Sequence, residues 1–223
     1  MSGADPHHWH SRWRDGRIGF HQAEVNRLLE KFWPELVPEP AGDVFVPLAG
    51  KSIDMTWLAR RGHQVVGVEL SEIAVRGYYE DHGWQPKIDA HDGFQVFSAN
   101  GVELWCGDYF AFPAARLKDC VGVYDRASLI ALPEDMRRQY AAKLIDVVPQ
   151  AATTLLLSIA YDQAEADGPP YSVPDDEVRA LFGEAFAVMH HGTRDATAQM
   201  PNLTEKGVTH VTSSVFSMQG RAA

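Results

Sequence analysis

Residues 43–71 constrain the fold more tightly than any other stretch of the chain. After Asp43, Val44-Phe-Val46 is an apolar run that ends in Pro47-Leu48-Ala49-Gly50. A helical pattern follows from Ser52 to about Arg61, where Gly62 stops it. Gln64-Val-Val-Gly-Val-Glu69 is then a second apolar run closed by an acidic residue. The order is strand, tight glycine turn, helix, strand, and a carboxylate at the second strand's end. Glu69 follows Gly50 by 19 residues. That is close to the roughly 20-residue spacing at which such a carboxylate reaches the ribose hydroxyls of a nucleotide-like ligand lying over the turn.

The same stretch excludes two common alternatives. A dinucleotide fingerprint needs G-x-G-x-x-G after the first strand, and only Gly50 is present. Gly50-Lys51-Ser52 matches the end of a P-loop, but Phe45 stands where its first glycine belongs, so the phosphate cradle is missing. A one-glycine turn with little to hold a pyrophosphate suits a nucleoside without phosphates, and S-adenosylmethionine (SAM) is the common ligand of that kind. For this segment alone, an ordinary αβ unit with a surface Glu69 stays open as the plainer reading.

Further along, the chain alternates strand and helix. Strand patterns fall at residues 121–124 and 153–159, and helical ones at 71–80, 134–148 and 174–182. Asn100-Gly101 joins two apolar runs into a predicted hairpin. Late strands are expected at 186–189 and 208–216. Alternation of this kind predicts an α/β fold whose mostly parallel sheet is covered on both faces, with ligands at the carboxyl ends of the strands. That rule singles out Leu48, Gly50, Glu69, Asp108 and the Asp125-Arg126 pair. Residues 22–33 carry an amphipathic helical pattern, and Pro34, Pro38, Pro40 and Gly42 are expected to break it. The chain thus reads as one domain, with residues 1–41 as an N-terminal lid or helical appendage and 42–223 as the core.

Composition narrows the function. A net charge of −10 disfavours nucleic acid, whose phosphates need clustered Lys and Arg. Cys106 and Cys120 form no C-x-x-C pair, and the histidines lack acidic or cysteine companions at ligand spacing, so no metal is assigned. There is no apolar leader pattern and no run long enough to span a membrane. The expectations are a cytoplasmic monomer with no membrane partner and a small-molecule substrate.

Trp9-x-x-x-Trp13, Gly19-Phe-His-Gln22, Val46-Pro-Leu-Ala-Gly-Lys-Ser52, Gly67-Val-Glu-Leu-Ser71, Val123-Tyr-Asp-Arg-Ala127, Tyr161-Asp162 and Gly168-Pro-Pro-Tyr-Ser-Val-Pro174 occur in one order. As a set they resemble the bacterial form of the thiopurine S-methyltransferase family, from about residue 9 to 183. The resemblance implies a Rossmann-like class I methyltransferase fold: a mostly parallel seven-stranded sheet with an antiparallel last strand, helices on both faces, and an N-terminal lid. It also implies methyl transfer from SAM, giving S-adenosylhomocysteine, to aromatic or heterocyclic thiols in a detoxifying role, with selenium and tellurium species as further acceptors. Carried over residue by residue, it places Trp13 on the SAM from the lid and Leu48 and Gly50 at the methionine end. Glu69 falls on the ribose, Asp108 and Tyr109 at the adenine, and Arg126 between cofactor and substrate as the catalytic cation. Phe20, His21, Pro170 and Tyr171 fall on the acceptor side. Ala49 stands where the family often has Cys, and the match weakens after about residue 190.

The residue chemistry is compatible with those roles without requiring them. A thiol is partly ionised near neutral pH, so a fixed cation such as Arg126 is more useful to it than a strong base. Read in isolation, Arg126 also suits an ion pair with Asp125, Glu69 a helix-start carboxylate, Asp108 a turn, and Trp9 with Trp13 one apolar helix face. Base-modifying amino-group methyltransferases carry [D/N]-P-P-[Y/F] after the fourth strand. This chain has Asp125-Arg-Ala-Ser128 there, and its Pro-Pro-Tyr lies far downstream.

Overall fold

The computed structural model describes residues 6–19, 21–37 and 42–221. Its elements run α1 (Pro6–Arg14), α2 (Arg27–Leu36), β1 (Asp43–Val46), α3 (Asp54–Arg60), β2 (Gln64–Glu69), α4 (Glu72–Asp81), β3 (Lys87–His91), β4 (Phe94–Ala99) and β5 (Val102–Cys106). They continue with β6 (Cys120–Arg126), α5 (Glu134–Val147), β7 (Thr153–Ala160), α6 (Asp175–Phe182), β8 (Phe186–Asp195), α7 (Pro201–Thr204) and β9 (Thr212–Gly220).

The strands form one sheet in the order β3-β4-β5-β2-β1-β6-β7-β9-β8. The five central strands are parallel, and the two at each side pair antiparallel. The expected α/β fold is present with nine strands rather than seven. One addition is β3, whose five residues are all exposed. Its sequence, Lys87-Ile88-Asp89-Ala90-His91, alternates over only five residues with no bulky apolar core position, and no side of it is buried. The Asn100-Gly101 hairpin forms as expected, with both residues at positive φ.

Alternation within the central strands builds two cores. Val44 and Val46 of β1 face a layer made by α2, α3 and α4, whereas Phe45 faces the layer that contains Tyr140 of α5 and Phe182 of α6. Strands buried on both faces read as continuous apolar runs for this reason. Helix α2 continues through Pro34 to Leu36, contrary to the expected break. Proline removes one intrahelical bond, but Leu29 and Trp33 are fully buried and Val37 N–H closes the end on the Trp33 carbonyl at 2.9 Å. Trp33 lies flat on β6 because Gly122 has no side chain; a Cβ there would stand 2.8 Å from the indole. Helix α2 therefore packs as part of the core. None of the helices is long and apolar enough to cross a membrane.

The chain leaves β1 toward β2 on one side, and β6 pairs on the other. The crevice at the carboxyl ends of β1 and β6 is the switch point of the sheet, where an open α/β fold binds its ligand.

Candidate functional site

Two loops frame this crevice, and both contain backbone that ordinary residues avoid. After β1, Leu48 has φ 44° and Gly50 φ 55°; after β6, Ala127 has φ 63°. Non-glycine residues hold such conformations only where packing enforces them, and they gather at ligand sites. The two loops are stitched together by Ser128, whose hydroxyl donates to the Pro47 carbonyl at 2.8 Å.

Glu69 ends β2 inside this frame. Its Oε2 accepts the Gly50 N–H at 2.9 Å and its Oε1 the Ser71 N–H at 2.8 Å. The residue is only 7% exposed, and burial raises its pKa against the opposing pull of backbone N–H groups from Ser71, Gly50 and Leu70. Each carboxylate oxygen has a second lone pair, so both can also accept from a ligand hydroxyl. Trp13 of α1 lies over the turn: a Cβ added to Gly50 would stand 3.3 Å from its indole. Leu48 packs at the border of the first core. The structure thus brings Trp13, Leu48, Gly50 and Glu69 together at one end of β1 and β2.

The pair at the end of β5 divides. Asp108 is exposed, and its Oδ1 accepts the Phe110 N–H at 2.9 Å, which caps a single 3-10 turn. Tyr109, beside it, turns inward. Its ring stacks on Tyr140 at 4.8 Å and its hydroxyl donates to the Tyr140 carbonyl at 3.2 Å, with 3% of the residue exposed. Its side chain supports the loop from beneath.

Strand β6 ends in two charged residues that alternation sends to opposite faces. Asp125 is fully buried and accepts the Tyr140 hydroxyl at 2.6 Å; burial pushes its carboxyl up from 3.8 to about 6. Arg126 points the other way. Its Nη1 donates to Gln22 Oε1 at 3.0 Å, and its Nε lies 3.7 Å from Asp54 Oδ2, with the side chain 13% exposed. The ion pair that Arg126 makes is with Asp54, on the face opposite to Asp125. Pro170 and Tyr171 reach the same end of the sheet. Tyr171 N–H donates to the Ile130 carbonyl just beyond β6 at 2.7 Å, and the Pro170 carbonyl accepts the Tyr161 hydroxyl at 2.7 Å.

Phe20 lies outside the described residues. His21 is half-buried, and its pKa is lowered by burial first and then by Lys51, with Asp81 opposing and Arg126 adding to the effect. These surroundings favour the neutral imidazole. Beside it, a cleft of about 290 Å³ runs between residues 21–25 and the helices α3 and α4. There Lys51 Nζ meets Asp81 Oδ2 at 2.7 Å. Among the described residues, no cluster of His, Cys, Asp or Glu is arranged to hold a metal ion. The sequence reading passed over Asp54, Gln22 and Ser128. An acid at the start of a helix, a glutamine in a turn and a serine in a loop carry no distinguishing spacing; only the fold brings them to Arg126 and Pro47.

Comparison with known proteins bears on this site. The sequence profile of the thiopurine S-methyltransferase family matches residues 4–221. The chain is 51% identical to a thiopurine S-methyltransferase of Pseudomonas entomophila (strain L48), over 91% of this chain and 97% of that protein. It is 43% identical to one of Pseudomonas fluorescens (strain Pf0-1), over 96% and 99%. Among solved structures, the glycopeptide N-methyltransferase MtfA complexed with sinefungin superposes with a TM-score of 0.58 at 16% identity, covering 90% of this chain and 89% of that one. An enzyme that converts a disulfide bond into a thioacetal group in echinomycin biosynthesis superposes at 0.64 and 15%, covering 97% and 93%. At such identities these two likenesses speak to the fold alone.

Proposed function

Because the chain belongs to the thiopurine S-methyltransferase family and is thus a SAM-dependent methyltransferase, we propose that it methylates aromatic and heterocyclic thiols, thiopurines among them, with selenium and tellurium species as further acceptors. The observation that carries this reading is the position of Arg126. A permanent, planar cation stands at the mouth of the sheet, mostly shielded from water, between the turn over Gly50 and the segment that bears His21.

The residues at the crevice fit the methyl donor. Glu69 is a buried carboxylate with acceptor capacity beyond its two backbone bonds, and Gly50 leaves the main chain open to close approach. Glu69 would hold the ribose hydroxyls, the turn at Leu48 and Gly50 the methionine end, Asp108 the adenine side, and Trp13 would close from the lid. Bound there, SAM supplies a methyl carbon already activated by its sulfonium leaving group. The protein's work is then alignment and exclusion of water. Arg126 stabilises the acceptor as an anion through its donor fork. His21, whose surroundings favour the neutral imidazole, would take the proton of a less acidic thiol at a ring nitrogen. Tyr171 and Pro170 line the acceptor side from the loop after β7. The enzyme is read as a cytoplasmic monomer acting on free small molecules. Radiolabelled SAM offered with a panel of heteroaromatic thiols, aliphatic thiols, selenols, tellurite and halide tests the proposal. Transfer to the heteroaromatic thiols above the other classes is expected, and transfer to halide or aliphatic thiols with none to heteroaromatic thiols would overturn it.

A further inference from the structure

Asp54 is the first residue of α3, is 0% exposed, and has no part in the chemistry described so far. A buried carboxylate is costly unless its surroundings compensate it, and the compensation here is specific. Its Oδ1 accepts the main-chain N–H of Asn26 at 2.9 Å, and its Oδ2 accepts the Tyr124 hydroxyl at 2.9 Å and faces Arg126 Nε at 3.7 Å. Asn26 is also the N-cap of α2, through Leu28 N–H at 2.9 Å. Its Nδ2 reaches Gln22 Oε1 at 3.4 Å, the same oxygen that accepts from Arg126 Nη1 at 3.0 Å.

These contacts close a ring: Asp54, Asn26, Gln22, Arg126 and back to Asp54. It joins three segments that are remote in sequence, namely the chain before α2, the start of α3, and the end of β6. Two nitrogens of one planar guanidinium are engaged by two different segments, which fixes the plane of the fork as well as its position. A cation held only by its flexible stem has no such restraint.

We propose that Asp54 is a positioning residue for methyl transfer: it orients the Arg126 guanidinium and makes that orientation depend on segment 22–26 being docked. The inference rests on the reading of Arg126 as the acceptor-side cation, and the test separates the two. Asp54→Asn keeps the side chain's shape, whereas Gln22→Ala opens the ring at an exposed residue without burying or baring a charge. In an otherwise wild-type chain, Asp54→Asn is expected to lower kcat/KM for a thiopurine about tenfold or more, through loss of a shielded ion pair to the guanidinium. Gln22→Ala should lower it several-fold, and both should leave SAM affinity by calorimetry nearly unchanged. The Arg126 Nε–H resonance should broaden or exchange faster in both variants, a signature independent of turnover. In an Arg126→Ala background, neither substitution should have a further effect on kcat/KM. If Arg126→Ala itself keeps wild-type kcat/KM, the reading of Arg126 fails. If Arg126→Ala is impaired but the Asp54 and Gln22 effects persist undiminished in its background, or the Arg126 resonance is unaltered in both single variants, the positioning role fails while Arg126 stands.

Discussion

At the scale of single residues, burial decides what each carboxylate can do. Glu69 has both oxygens already bonded to main-chain N–H groups and no competing side-chain cation among its contacts, so a ligand hydroxyl would add to a fixed acceptor. Glu69→Ala should therefore weaken SAM binding by about tenfold or more, the scale of one hydrogen bond to a charged group; calorimetry showing unchanged affinity would remove Glu69 from the binding site. Asp125 offers a pH test. Its folded pKa is raised from 3.8 to about 6, so between those values the folded state holds a proton that the unfolded state has released. Stability consequently falls as pH rises through this window, and the loss persists above it. Two units correspond to something on the order of 3 kcal/mol. Asp125→Asn, whose amide oxygen can still accept from Tyr140, should lack this fall. Urea titrations of both proteins below and above the window should show the variant gaining on the wild type as pH rises; parallel curves would refute the assignment. Of these residues, Glu69 was legible from its spacing to Gly50. Asp54 was not, because its meaning lies in Tyr124, Asn26 and Arg126, which no local pattern connects to it.

At the scale of elements, the sequence was clearest where a strand is buried on both faces or a turn has one dominant chemistry. The runs of β1, β2, β6 and β7 and the Asn100-Gly101 turn all formed close to their expected bounds. Legibility failed in two ways. Strand β3 has no buried face to mark it, and α2 passes through Pro34 because tertiary packing of Leu29 and Trp33 outweighs one lost hydrogen bond. Asp108 and Tyr109 are adjacent in sequence, yet the capped turn sends one side chain outward and the other into the core, which no local pattern announces. The contact of α2 with β6 predicts a sharp steric requirement. Gly122→Ala would place a methyl group 2.8 Å from Trp33 and 3.1 Å from Val37. Overpacking of this kind typically costs about 1–3 kcal/mol. Chemical denaturation should register that loss, with little change in KM for SAM, since the site is at the strands' other end.

For the whole molecule, Leu29 and Trp33 of α2 lie in the second core although they precede residue 41. Removal of residues 1–19 should leave a folded protein that has lost Trp13 from over Gly50 and binds SAM weakly. Removal through residue 41 should strip Leu29 and Trp33 from the second core and abolish the cooperative transition. Circular dichroism melting distinguishes the two: a cooperative melt in the longer deletion would return α2 to the status of an appendage. One consequence follows from Leu48 and Ala127, the left-handed residues bordering the crevice. Their distortion is set by folding, before any small molecule arrives. The amide dipoles at this mouth are thus preorganised, and encounter with a ligand leaves little conformational freedom there to be surrendered. Replacing either residue by glycine would ease the native backbone yet loosen that arrangement, trading a relaxed loop for a floppier receptor.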